Sequence, residues 1–224
     1  VSRLQTYAQN PFAFFLQYGL KLREREVMTL TPAERGTLLH AILEGVFGQL
    51  MQAGQPLGSL TVADLVHLVD EVGHQVLTSG DPTFDIFNSS ARMRYTSEQL
   101  MQQVATTLQA MRRGQPNNQH IQTAGTELPF GMGKQGLAGL KYSLPQGSVS
   151  VRGKIDRYDT VKVDNQAAPF LTVVDYKSSQ RKFELAKVLA GLELQLVTYW
   201  LALEQDQSAP VGAAVYWNAQ TPWL

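Results

Sequence analysis

Two aspartates and a lysine stand where the sequence reads as the ends of strands. The run Ser148-Val149-Ser150-Val151-Arg152-Gly153-Lys154-Ile155 leads into Asp156, and nineteen positions later Leu171-Thr172-Val173-Val174 leads into Asp175, followed by Tyr176 and Lys177. A carboxylate at the end of an apolar strand is costly unless it is paired or bound to a cation. Successive side chains alternate across a strand, so Asp175 and Lys177 share one face and Tyr176 takes the other. Two carboxylates on adjacent strands suit a hard divalent cation such as Mg²⁺ or Mn²⁺. A lysine beside that cation can orient a water and offset the charge of a pentavalent phosphate. This is equipment for phosphodiester hydrolysis. An aspartate and a lysine two apart are also a common pair of strand-end surface charges, and the string alone favours that plainer interpretation.

Other clusters carry less. Gly131-Met132-Gly133-Lys134-Gln135-Gly136 has the glycine spacing of a dinucleotide-binding turn. Such a turn must open a helix to aim its dipole at phosphate, whereas the residues that follow, with Gly139 and Pro145, read as loop and strand. No Gly-Lys-Ser/Thr follows either, so it is not a nucleotide-binding P-loop. His67, Glu71 and His74 share a helical face, but a solvated amphipathic helix explains them better than zinc does. Arg92, Arg94, Arg112 and Arg113 form no clear stripe for DNA.

The elements that must position the acids follow from periodicity. Ser2 can cap a short helix, which Asn10-Pro11 interrupts before the apolar block Phe12, Phe14, Phe15, Leu16 and Tyr18. Pro32 opens a helix to about Met51 with apolar residues at Leu38, Leu39, Ile42, Leu43, Val46, Phe47 and Leu50. Thr61 to Leu77 and Ser90 to Arg113 are two more helices. After Pro116-Asn117-Asn118 the pattern becomes β: 121–130, 140–144, 149–163 with a turn at Asp164-Asn165, and 170–176. Glu184 to Glu204 returns to helix and Val211 to Asn218 to strand. The order predicts one α/β domain over residues 1–224, a sheet flanked by helices with a helical N-terminal portion.

Composition sets the limits. Of 224 residues, 44% are hydrophobic and 17% charged, which excludes a disordered or fibrous chain. Cysteine is absent, so these residues supply no disulfide, thiolate zinc site or iron–sulfur cluster, in keeping with the reducing cytoplasm. No apolar run is long enough to span a bilayer, and no membrane association is expected. Nineteen basic residues balance nineteen acidic ones, so the chain lacks the charge of a non-specific DNA binder. A catalytic domain fed by a larger partner can nonetheless be neutral. Both ends read as cuts within a longer polypeptide.

Taken together, several motifs resemble one family. Gly36-Thr37-Leu38-Leu39-His40, Gly153-Lys154-Ile155-Asp156-Arg157, Asp175-Tyr176-Lys177-Ser178-Ser179, and Gly191 with Gln195-Leu196 and Tyr199 are similar, in this order, to the PD-(D/E)XK nuclease domain shared by AddB/RexB and RecB. The opening Asn10-Pro11-Phe12 and the run Tyr18-Gly19-Leu20-Lys21-Leu22-Arg23-Glu24-Arg25 resemble the same region of AddB/RexB. The resemblance implies a restriction-endonuclease-like mixed sheet. It further implies that His40, Asp156, Asp175 and the carbonyl of Tyr176 hold Mg²⁺ or Mn²⁺, that Lys177 serves the attacking water, and that Gln195 and Tyr199 flank the site. Glu127 matches a further acidic position. The implied setting is a helicase–nuclease complex that resects DNA breaks for recombinational repair, with DNA and an AddA/RexA-like helicase–nuclease chain as partners. A stand-alone RecB-like nuclease and a non-catalytic DNA-binding scaffold are the competing readings; an intact Asp156, Asp175 and Lys177 set weighs against the scaffold. AddB proteins carry a cluster cysteine where this chain has Asn10, which places it nearer the cluster-free RexB type. Phe12, Phe14, Phe15 and Leu16 are then expected to hold the opening helix against the sheet.

Overall fold

The computed structural model describes residues 2–22, 30–113, 121–133, 136–163, 168–180, 182–206 and 209–219. The Pro116–Asn118 break, the Asp164-Asn165 turn, Arg23 to Arg25 and Lys134-Gln135 lie outside them.

A helical layer comes first. Helix α3 (Pro32–Gln52) starts at a capping box: Thr31 Oγ1 accepts from Glu34 N–H (3.2 Å) and Glu34 Oε2 accepts from Thr31 N–H (2.6 Å). Thr61 and Asp64 repeat the device at α4 (Val62–Leu77). Helix α6 (Ala91–Arg113) follows the short α5 (Asp85–Asn88). The apolar stripe of α3 is the one its periodicity predicts, and it packs against Leu65, Val69 and Val72 of α4 and Leu100, Val104 and Leu108 of α6.

The main sheet has the order β1 (Ile121–Phe130), β4 (Gly153–Val161), β5 (Phe170–Lys177), β6 (Val211–Asn218). β1–β4 and β4–β5 are antiparallel; β5–β6 is parallel. A parallel neighbour requires a crossover, which α7 (Leu185–Leu189) and α8 (Gln195–Asp206) provide. On β5, Val174 and Tyr176 face the helical layer, while Leu171 and Val173 join Leu196, Ala202 and Leu203 of α8 in a second core. The expected mixed sheet flanked by helices, with a helical N-terminal portion, is the observed architecture.

Three expectations are corrected. Residues 149–163 are not one strand: β3 (Gly147–Val151) pairs with β2 (Leu140–Leu144) in a separate hairpin, and β4 begins at Gly153. Val151 and Gly153 have partners in different sheets, Leu140 and Phe130, so the chain must change course at Arg152. The helix from Glu184 to Glu204 is two helices, because Gly191 takes a left-handed conformation (φ 74°) that ends α7. The N-terminal aromatics do not clamp the sheet. Residues in α1 (Ser2–Gln9), α2 (Pro11–Phe14) and the π turn Phe15–Gly19 include none that is buried, and Phe12 and Phe15 are 67% and 52% exposed. Apolar side chains at 12, 14, 15, 16 and 18 spread over roughly 200° of a helix circumference, too wide for one buried face. Phe14 instead packs between Tyr7 (5.5 Å) and Tyr18 (5.1 Å), and α1 reaches the body through Gln5, whose Nε2 donates to Leu192 O (3.4 Å).

Candidate active site

The site lies where β4 and β5 part. Their ladder runs from Val161–Phe170 to Arg157–Val174 and stops there, although β5 stays paired with β6 through Lys177. Tyr176 N–H, on the side of β5 that faces β4, finds a side chain: it donates to Asp156 Oδ2 at 2.9 Å. The carboxylate thus occupies the place of a strand partner.

Glu127 sits on β1 between the pairs Thr126–Arg157 and Leu128–Ile155, so it lies opposite Asp156. Its φ is +50°. For a residue with a β-carbon this conformation costs about 1–3 kcal/mol and is characteristic of functional sites. Lys154 forms an ion pair with Glu127.

The fourth element is α3, which lays His40 over the gap. His40 Nε2 is 3.1 Å from Tyr176 O, and Nδ1 is 3.5 Å from Asp156 Oδ2. Gly36, one turn earlier on the same face, lies over Ser178, whose Oγ a β-carbon there would meet at 3.5 Å. That distance is ordinary contact, but a longer side chain would force α3 outward. Gly36→Ala should therefore retain cleavage and gain up to about 1 kcal/mol from helix propensity. Gly36→Leu should cut cleavage sharply, and paired melting and cleavage measurements on the two variants check this.

Asp175 is fully buried on the other side of the gap. It pairs with Lys177, while its Oδ1 has no hydrogen-bond partner among the described residues. Lys177 Nζ donates to Gln195 Oε1 (2.8 Å), and Gln195 Nε2 donates to the Tyr199 hydroxyl (3.0 Å). Gln195 opens α8 and Tyr199 follows one turn later, so the lysine is held from both the strand and the helix. Burial pushes both Asp156 and Asp175 up to about 6, Asp156 adding to the rise at Asp175. Burial also lowers His40. Two crowded, poorly solvated acids are the setting that a cation relieves.

The donor set fits one. Ligand atoms of His40, Glu127 and Asp156 lie within 4.8 Å of one another, and theirs is the one such group among the described residues. The carbonyl of Tyr176 adjoins it and the orphaned Asp175 oxygen is buried nearby. His67, Glu71 and His74 form no such group; His74 Nδ1 lies 2.8 Å from the carbonyl of Asp70 in its own helix.

Sequence reasoning overlooked Glu44 and gave no role to Lys154 and Arg157, which it quoted only as neighbours of Asp156. Glu44 lies one turn beyond His40 on α3, and burial, then Glu127, raises its carboxyl. The i, i+4 spacing was available as a signal. Arg157 gave none beyond its place after Asp156. Its guanidinium is buried, stacks 3.9 Å above the centroid of Phe47, and donates to the Tyr176 hydroxyl (2.8 Å) and Asp159 Oδ2 (3.0 Å). Burial opposes its charge, but Asp159 and Tyr176 outweigh that. Removing one member of such a pair strands the other, at about 3–5 kcal/mol. Arg157→Met should show that loss in denaturant unfolding, and Arg157→Met combined with Asp159→Leu should recover part of it.

Residues 1–223 match the PD-(D/E)XK nuclease superfamily, and the chain belongs to it. Among individual proteins, it is 41% identical over 221 residues to the B subunit of the ATP-dependent helicase/deoxyribonuclease of Latilactobacillus sakei, covering 96% of this chain and 18% of that protein. The B subunits of the same enzyme from Lactiplantibacillus plantarum and Enterococcus faecalis are 37% identical over 236 residues and 34% over 233, each match covering all of this chain and 19% of the relative. The chain thus spans about a fifth of the length of these curated relatives.

Proposed function

We propose that this chain is the DNA-hydrolysing domain of the AddB/RexB-type component of an ATP-dependent helicase–nuclease, working in the cytoplasm with an AddA/RexA-like partner to resect broken DNA for recombinational repair. The observation that carries the reading is the convergence of His40, Glu127 and Asp156 at the gap beside Asp175 and Lys177, in a chain of this superfamily. No helix among the described residues is long and apolar enough to cross a membrane.

His40, Asp156, Asp175 and the Tyr176 carbonyl would hold Mg²⁺ or Mn²⁺, with Glu127 beside them. A divalent ion there supplies charge to polarise the phosphate and acidify a water. The protein's own groups do the rest. Asp175 and Gln195 fix the Lys177 ammonium, which orients the attacking water and offsets charge gathering on the phosphoryl oxygens. Tyr199 holds Gln195 in turn.

Cleavage of linear DNA by the full-length protein should vanish in EDTA and return with Mg²⁺ or Mn²⁺, while Ca²⁺ should bind but support little turnover. Cleavage that survives chelation would overturn the assignment.

A further inference from the structure

At the Gly153 end of the β1–β4 pair, an open groove of about 880 Å³ is lined by α1 and the β2–β3 hairpin. Three of its lining residues, Arg3, Lys141 and Arg152, are basic, and none of those described is acidic. In a chain with nineteen charges of each sign, that is a local excess of one sign. Four of its lining residues are glycines, Gly131, Gly133, Gly139 and Gly153. Gly131 and Gly139 approach so closely that a β-carbon on Gly131 would lie 2.9 Å from the Cα of Gly139. The guanidinium of Arg3 is 4.9 Å from the ring centroid of Tyr18, which also lines the groove, so an aromatic face and a cation form one wall.

Two strands join this groove to the acids. Gly153 lines it and precedes Asp156 by three residues on β4; Gly131 lines it just past the end of β1, four residues after Glu127. At about 3.3 Å per residue the separation is roughly 10 Å. The volume is on the scale of a few nucleotide-sized groups.

We propose that this groove seats the sugar-phosphate backbone of a single DNA strand next to the bond being cut, with Arg3 and Lys141 against its phosphates. The inference rests on the nuclease reading of the neighbouring site. Bare glycine backbone and cationic side chains recognise phosphate and carry no base pattern, so the contact is sequence-independent.

The test uses the full-length protein, without ATP, in single-turnover cleavage of oligothymidylates. A twelve-nucleotide strand spans both site and groove; a p-nitrophenyl ester of thymidine phosphate reaches the site alone. Each phosphate contact on a single strand adds about −0.7 to the slope of log affinity against log salt, or about fivefold in affinity at 0.1 M. Arg3→Gln combined with Lys141→Gln should raise the half-saturating concentration of the twelve-mer about 25-fold and flatten its salt slope by about 1.4, leaving hydrolysis of the small ester unchanged. An unchanged twelve-mer value, or an equal loss on both substrates, overturns the groove. Photocrosslinking of a 4-thiothymidine strand keeps the two ideas separate. If the wild type cuts nothing with either metal, the nuclease reading fails. The groove then stands only if crosslinks map to residues 131–153 and disappear in the double variant.

Discussion

Lys177→Ala should cleave linear DNA at least ~10³-fold more slowly than the wild type at saturating Mg²⁺, with metal and DNA binding retained. One preorganised electrostatic partner is worth ~10²–10³ in rate, and a group that also places the nucleophile is worth more. The expectation rests on how the ammonium is held: Asp175 on its own strand face and Gln195 from α8 fix it from two elements, with Tyr199 behind. A protonated amine has no lone pair to give a metal, so the metal affinity measured by calorimetry should stay near wild type. Lys177→Arg should rescue little, because a planar guanidinium does not place its charge between Asp175 and Gln195 in the same way. Single-turnover cleavage decides the matter. A Lys177→Ala protein that cuts within a few-fold of wild type removes this residue from the mechanism.

The acids should behave differently. Asp156→Ala and Asp175→Ala should each abolish cleavage and weaken metal binding without unfolding the domain. Asp156→Asn is the more telling change. Its amide oxygen still accepts from Tyr176 N–H, while the charge that raises Asp175 is gone. In EDTA its thermal midpoint should equal or exceed that of the wild type, since crowded buried carboxylates repel each other. With Mg²⁺ the order should reverse, because only the wild type gains the binding energy of the ion. Melting curves with and without metal check both signs. A fall in EDTA would show that the Asp156 charge stabilises the fold by itself.

Much of this architecture is legible in the sequence. Strand alternation puts Asp175 and Lys177 on one face, and Tyr176, whose ring packs on Phe47, on the other. The α3 stripe and the capping residues are equally clear, because they depend on neighbours three or four positions away. The meeting of His40 with Tyr176 spans 136 positions, and no local periodicity reaches that far; only the resemblance suggested it. Glu127 is similar, since its aim depends on a left-handed backbone that propensity argues against. The break at Arg152 is hidden because both halves read as strand, and what separates them is a change of partner. The N-terminal aromatics mislead for the opposite reason: apolar composition says that a residue can be buried, not that this chain offers a surface to bury it.

His40 comes from the helical layer and the other donors come from the sheet, so the centre straddles the seam between two cores. A state in which α3 has lifted from β5 would keep Glu127, Asp156, Asp175 and Lys177 and still lack its histidine. Such sub-global opening lies below complete unfolding in free energy and is visited more often. Docking of the helical layer therefore completes the candidate donor set, and a copy whose two layers have not closed would lack one of its three converging ligands.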